Sequence, residues 1–275
     1  MSDPLSSSEF PHHGSGAVGQ AGAWIACGWR LIREHQSLWF GMAGLYLAFA
    51  FVLKNIPFMG DLLIILITPM LLAGVVWGRA HQHRATTPPV TGPAPPWSQA
   101  WLVQPARELG LIFNREDKIF PAVLLGIITL GLSTLVRIAG DLLVGGSMVS
   151  GLTATPLELP QITTVLGMVV IAALYLALTM GLFYSVPLTV LGNRHPLAAV
   201  AESFSLCRRN ALPLLTLAAP FFVVYLLIVA GFAIFHRWAY LLIATAGLTA
   251  LPLFVATVYC SYLALHPLHR SAEHP

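Results

Sequence analysis

Two residues have the most obvious capacity for chemistry: Arg137 and Asp141, four positions apart in the run LSTLVRIAGDLL. Opposite charges at i and i+4 meet on one helical face, and an ionisable pair near membrane depth marks a functional site by default. A plainer reading fits better. Eighteen mostly apolar residues, Ile119–Val136, precede Arg137 and already suffice to cross most of a bilayer. The pair then falls at the outer interface, where it neutralises itself and Arg137 extends toward the headgroups. Lys54, Asp61 and Arg237 fall in short turns on the same side and read the same way.

Histidine is the other candidate chemistry. His12-His13, His81-Gln82-His83 and His266-x-x-His269 could in principle offer imidazoles to a divalent ion. His81 and His83 are two apart, so they point to different helical faces, and Pro267 splits the C-terminal pair. No cysteine or carboxylate completes a ligand set at a familiar spacing, so no metal site is expected. Cys27, Cys207 and Cys260 are too few and too scattered for a disulfide framework or a metal cluster. G-x-S-x-G, Walker A, G-x-G-x-x-G and H-E-x-x-H are all missing, as are paired carboxylates within the apolar runs. The expectation is no enzyme and no cofactor.

The elements that hold these residues are membrane helices. Only 9% of residues are charged and 57% are hydrophobic, against roughly 25% charged in a soluble domain. A helix needs about 20 mostly apolar residues to cross a bilayer. Six runs qualify: Leu38–Pro57, Leu62–Gly78, Ile119–Val136, Thr163–Leu191, Leu212–Phe235 and Ala239–Leu265. None alternates with period two, and backbone groups in lipid must be satisfied within their own segment. The fold expected is all-α, an integral membrane bundle of six transmembrane helices. Residues 1–20 lack a basic n-region and an apolar h-region and read as a retained, disordered tail.

Orientation follows from the basic residues. With the N-terminus inside, 11 of the 14 Lys and Arg fall in cytoplasmic segments, leaving Lys54, Arg137 and Arg237 outside. Short loops rich in Lys and Arg stay on the cytoplasmic side. Both ends are therefore expected on the cytoplasmic side of a bacterial inner membrane.

Each pair of spans is preceded by an amphipathic segment. Ala21–Gln36 places Trp24, Ile25, Gly28, Trp29 and Ile32 on one side, with Arg30, Arg33 and Glu34 toward the other. Leu197–Asn210 places Leu197, Val200, Phe204 and Cys207 on a stripe, with Glu202, Ser205 and Arg209 off it. Such helices lie in the headgroup plane, apolar face down and arginines on phosphates. The expected contacts are Trp24, Trp29, Arg30, Arg33, Phe204, Arg208 and Arg209, to lipid, including anionic headgroups, or to a membrane protein partner. No nucleic-acid partner is expected. The middle segment, Trp97–Lys118, is interrupted by Pro105 and follows a stiff linker, Pro88–Pro96, with five prolines in nine residues.

Trp29-Arg30-Leu31-Ile32-Arg33 aligns with Phe204-Ser205-Leu206-Cys207-Arg208, and the second span of each pair carries a helix-kinking proline: Pro69, Pro187 and Pro252. This suggests three copies of one unit, interfacial helix plus hairpin; a two-copy reading, with an unrelated middle pair, stays open. The segments are then a tail (1–20), a first unit (21–84), a linker with interfacial segment (85–118), a middle hairpin (119–196), a last unit (197–266) and a tail (267–275).

The opening Trp24-x-x-x-Gly28-Trp29-x-Leu31, the Leu38-Trp39 entry and the turn Pro57-Phe58-Met59-Gly60 resemble an uncharacterised bacterial family of multi-pass inner-membrane proteins. The later Ala199-x-x-x-Ser203-Phe204-x-x-x-x-Arg209-Asn210, after a proline-bearing span and a short basic turn, resembles it too. In outline the likeness runs from about Val18 to Leu265; the middle segment departs from that family's Phe- and Arg-rich loop. The resemblance implies architecture and no activity.

Two functions fit: a non-catalytic accessory or scaffold protein, or a small-solute transporter or channel, for which broken helices would suit. Transporters place polar or charged groups at mid-membrane, and this chain offers there only Thr68, Thr129, Ser133, Thr179, Tyr184 and Thr249. That tilts the balance toward the accessory role. Small residues at Ala173, Ala177 and Gly181, and at Gly74 and Gly78, are expected to pack helices within the bundle.

Overall fold

The apolar runs form helices throughout the computed structural model, which describes residues 16–34, 36–57, 59–84, 116–145, 159–234 and 239–265; no strand occurs among them. The helices are α1 (Ala17–Glu34), α2 (Gln36–Lys54), α3 (Gly60–Arg84), α4 (Glu116–Gly140), α5 (Leu159–Phe183), α6 (Ser185–Val190), α7 (Pro196–Arg209), α8 (Ala211–Ile234) and α9 (Ala239–Leu265). A π-helical turn, Asp141–Gly145, continues α4. The Pro-rich linker, nearly all of Trp97–Lys118 and the C-terminal tail lie outside the described residues. So does the start of the expected N-terminal tail, but α1 begins at Ala17, inside the last residues assigned to that tail.

Among the described residues, four stretches are long and apolar enough to cross a membrane: Lys118–Leu143, Val165–Val190, Ala211–Gly231 and Ala244–Leu265. α1 and α2 pass the same test only as a pair bent by 94°, and the apolar part of α3, Gly60–Val76, is shorter than a full span. Each of the six expected runs contains helix, but among the described residues they amount to four clear spans, or five with the bent pair counted as one.

Burial is concentrated at one end of the bundle. There α1 lies across α8 and α9, while α7 lies across α5, α6 and the start of α4. Val76 of α3 and Leu191 after α6 join Tyr259 and Leu263 of α9, with Cys27 and Leu31 of α1, in one core. α2 packs between α3 and α9, and α3 continues the contact to α4 and α6. Toward the other end the helices turn most of their large side chains outward: Leu135, Ile138 and Leu142 on α4 and its π turn, Val165, Leu166 and Val169 on α5, and Phe222, Tyr225 and Leu227 on α8. Helices hydrophobic all round, with this much outward apolar surface, are suited to lipid rather than to water.

Candidate functional site

The two amphipathic helices are seated in the bundle rather than laid free on a surface, and each buries only part of the face its apolar residues suggest: Trp24, Gly28 and Ile32 on α1, and Cys207 on α7. In α1 the buried face is Ala21, Trp24, Cys27, Gly28, Leu31 and Ile32. Trp24 is 3% exposed and packs with Ala21 against Leu217 of α8, whereas Trp29 is 51% exposed. Gly28 is required by the close crossing. A Cβ there would stand 2.7 Å from Thr257 Oγ1 and 2.9 Å from the Thr257 backbone nitrogen of α9. One residue earlier, Cys27 and Cys260 form a disulfide, with Cα atoms 6.2 Å apart and 233 positions of sequence between them. The scatter that argued against cysteine pairing is overturned: α1 crosses the last span, so residues remote in sequence become neighbours.

In α7 the buried face is Pro196, Ala199, Ser203 and Cys207. The expected apolar stripe is only partly used, since Leu197 is exposed, Phe204 is 37% exposed and Val200 is half-buried. Val200 touches the position where Gly181 of α5 would carry a side chain. The other small residues of that α5 stripe, Ala173 and Ala177, are exposed and make no seam in the bundle.

Ser203 is completely buried and does something no pattern of apolar residues reveals. Pro187 lacks an N–H, and its ring crowds the carbonyl four residues earlier, so the fourth span breaks at Tyr184 between α5 and α6, where φ is −107° and ψ is 2°. The Ser203 hydroxyl enters that break. It donates to the Met180 carbonyl at 2.8 Å and accepts from the Tyr184 N–H at 2.9 Å, standing in for the direct helical bond. Tyr184 Oη donates to Ser261 Oγ at 3.0 Å, which donates on to the Val258 carbonyl of α9 at 2.9 Å. Ser185 donates to the Leu182 carbonyl at 2.8 Å. The polar groups freed by the break are thus tied into one buried network across α5, α6, α7 and α9. Cys207 lies against Ser203, and burial pushes its thiol up to about 11 while the Ser203 hydrogen bond pulls it partly back. Beside this network, Lys118 at the start of α4 donates to Asn193 Oδ1 in the turn before α7. Asn193 takes φ of 51°, a left-handed conformation that Asn tolerates well, and Arg194 pairs with Glu202 at 3.4 Å.

Of the three kink prolines, only Pro187 interrupts a helix; α3 and α9 run continuously through Pro69 and Pro252. Arg137 and Asp141 are both exposed and no ion pair joins them; the helix passes from α to π geometry at Asp141. Arg33, Arg208 and Arg209 are exposed, and the Arg33 guanidinium lies 5.9 Å from the Trp29 ring centre. Basic and aromatic residues therefore share the outward faces of both seated helices.

Between α2, α3 and α9 lies a half-open cavity of about 220 Å³. Trp39, Met42 and Val75 line one end, and Tyr46, Thr68 and Leu251 the other. Thr68 donates to the Ile64 carbonyl at 2.6 Å, and its oxygen meets Tyr46 Oη at 3.1 Å. Thr129, Thr179 and Thr249 likewise donate to carbonyls of their own helices. No cluster of metal-ligating side chains is present among the described residues. The chain matches no family model, no curated protein and no solved structure.

Proposed function

We propose that this protein is a non-catalytic accessory or scaffold protein of the bacterial inner membrane, with six spans and both ends in the cytoplasm, of the uncharacterised multi-pass type its motifs resemble. One observation carries the reading. Both amphipathic helices use small and apolar residues to grip the bundle and turn Trp29 and Arg33, or Phe204, Arg208 and Arg209, outward. A rigid basic and aromatic face suits anionic headgroups or the acidic surface of a partner, each basic residue contributing about 1 kcal/mol near an anionic leaflet. The repeat draws support from the same helices. Gly28 and Ser203 occupy matching places in the aligned motifs, and each is the buried point of crossing on a neighbouring span.

The transporter reading has one observation in its favour, the broken span at Tyr184, since discontinuous helices build substrate sites. Ser203 and Ser261 occupy the groups that such a site would offer. The test uses full-length protein in vesicles with and without anionic lipid. Arg33→Gln with Arg208→Gln and Arg209→Gln should abolish a salt-sensitive preference for the anionic vesicles while the protein stays folded. Equal binding by wild type and triple variant removes the headgroup role.

The opposite orientation is favoured by one feature, the Cys27–Cys260 disulfide, because cytosolic thiols are kept reduced. Single cysteines placed in the Pro88–Pro96 linker, at His195 or in Thr153–Pro160, with the native cysteines removed, separate the two. With the ends inside, an impermeant reagent labels only Thr153–Pro160 in intact cells. Labelling of Pro88–Pro96 inverts the topology.

A further inference from the structure

We propose that the cavity between α2, α3 and α9 holds one acyl chain of a membrane phospholipid, kept within the bundle as a structural ligand. The inference rests on the helices lying in a bilayer, and otherwise on the cavity itself. Its shape is a slot. Trp39 to Tyr46 on α2 and Thr68 to Val75 on α3 each cover two helical turns, about 10 Å along the helix axes at 1.5 Å per residue. A hydrocarbon chain in a bilayer runs in that direction. Gly247 lets α9 approach Leu47 of α2 beyond the Tyr46 end, while Trp39, Met42 and Val75 belong to the core that includes Ile32 and Ala256 at the base.

The walls favour hydrocarbon. Thr68 spends its hydrogen on the Ile64 carbonyl, so Tyr46 is the donor in their mutual contact. With Tyr46 donating to Thr68 and Thr68 to the Ile64 carbonyl, neither hydroxyl keeps a hydrogen for a solute. Ordered water needs two to four polar partners, and an engineered apolar cavity of about 150 Å³ stays dry and takes up benzene. A charged or strongly polar solute would lose its hydration without replacement. Left empty, the slot would forfeit the dispersion contacts of three helices, and hydrocarbon is the fluid available at this depth.

The test uses full-length protein in vesicles containing a phospholipid with a photoreactive diazirine midway along one chain. After irradiation the labelled residues are mapped by mass spectrometry, with the outward face of α5 over residues 165–176 as the record of ordinary surrounding lipid. Before irradiation, half the sample is washed extensively in detergent. Adducts on Met42, Leu71 and Leu251 should survive washing, while those on α5 are lost. Ala43→Phe, which places a ring in the slot, should reduce the cavity adducts to the level of washed α5 and leave unwashed α5 labelling unchanged. Cavity adducts that vanish on washing together with those on α5 would overturn the proposal. So would adducts unchanged by Ala43→Phe, or adducts obtained only from a diazirine fatty acid and not from the phospholipid. Should Ala43→Phe fail to fold, the washing comparison on the wild-type protein decides alone.

Discussion

α1 and α7 both cross the packed end of the bundle, yet they are fastened by opposite means. α1 comes so close to α9 that only a glycine fits at Gly28, and Cys27 adds a covalent link to Cys260. α7 is fastened by a hydroxyl, Ser203, inserted where Pro187 has broken the span. One seat depends on the absence of atoms, the other on a donor and acceptor in the right place. Small residues do this in membrane bundles generally, by admitting neighbouring backbones or by bonding to them. The difference teaches that residue size and bonding capacity act together with hydrophobic burial, here of Trp24, Leu31 and Ile32, in fixing the inward face of such a helix.

The contrast can be broken at its strongest point first. Gly28→Val drives a branched side chain into the Thr257 backbone, which must move, so the loss should exceed the usual overpacking penalty of about 1–3 kcal/mol. Thermal melts in detergent should show a large drop, accompanied by loss of the Cys27–Cys260 link on non-reducing gels. A melt within a degree or two of wild type would mean that α1 does not cross α9 at Gly28.

Removing the covalent link comes next. Cys27→Ser with Cys260→Ser, or reduction of the wild type, should cost about 2–4 kcal/mol. The double variant should then become insensitive to reductant. If wild type is equally stable with and without reductant, the close crossing alone holds α1.

Ser203→Ala is expected to cost about 1–3 kcal/mol, the penalty for leaving a buried donor and acceptor unsatisfied. Slow hydrogen exchange at the Tyr184 amide should become faster. Unchanged exchange would show that Tyr184 recloses directly on Met180 and that α7 does not need the serine.

The smallest effect concerns Cys207. Its thiol, raised from 9.0 to about 11, holds its proton more tightly folded than unfolded. Its contribution to stability is therefore complete below pH 9 and is lost as the pH rises toward 11. Since the thiolate is the nucleophile, alkylation of folded protein at neutral pH should be negligible and should climb only in strong alkali, whereas denatured protein reacts at neutral pH. Ser203→Ala removes the bond that pulls the value down and should push the onset higher. Fast alkylation of the folded protein at neutral pH would contradict the buried placement of Cys207.

Long apolar runs made the helices legible, since nothing else satisfies backbone groups in lipid. Pro187 marked a place where the fourth span could break, but Pro69 and Pro252 carried the same mark and their helices run on, so the break itself was not legible. The inward faces were legible only in part: Trp24, Gly28, Ile32 and Cys207 are buried as their stripes suggest. Trp29 and Phe204 belong to the most hydrophobic stripe by ordinary reckoning, yet they point outward, while Ala199 and Ser203 point in. Periodicity assumes that water lies outside, and around this bundle hydrocarbon and headgroups receive aromatics readily. The pairing of Cys27 with Cys260 follows from a crossing between the first and last helices, which no local pattern encodes.

That crossing also sets a timetable. The seat of α1 is built from α8 and α9, the last helices to be made, with 233 positions separating Cys27 from Cys260. At about 5–20 residues per second, the ribosome needs roughly 10–50 s to travel that distance. Throughout that interval α1 is finished but has nowhere to dock. The last span, on arrival, collects the first helix and closes the chain upon itself.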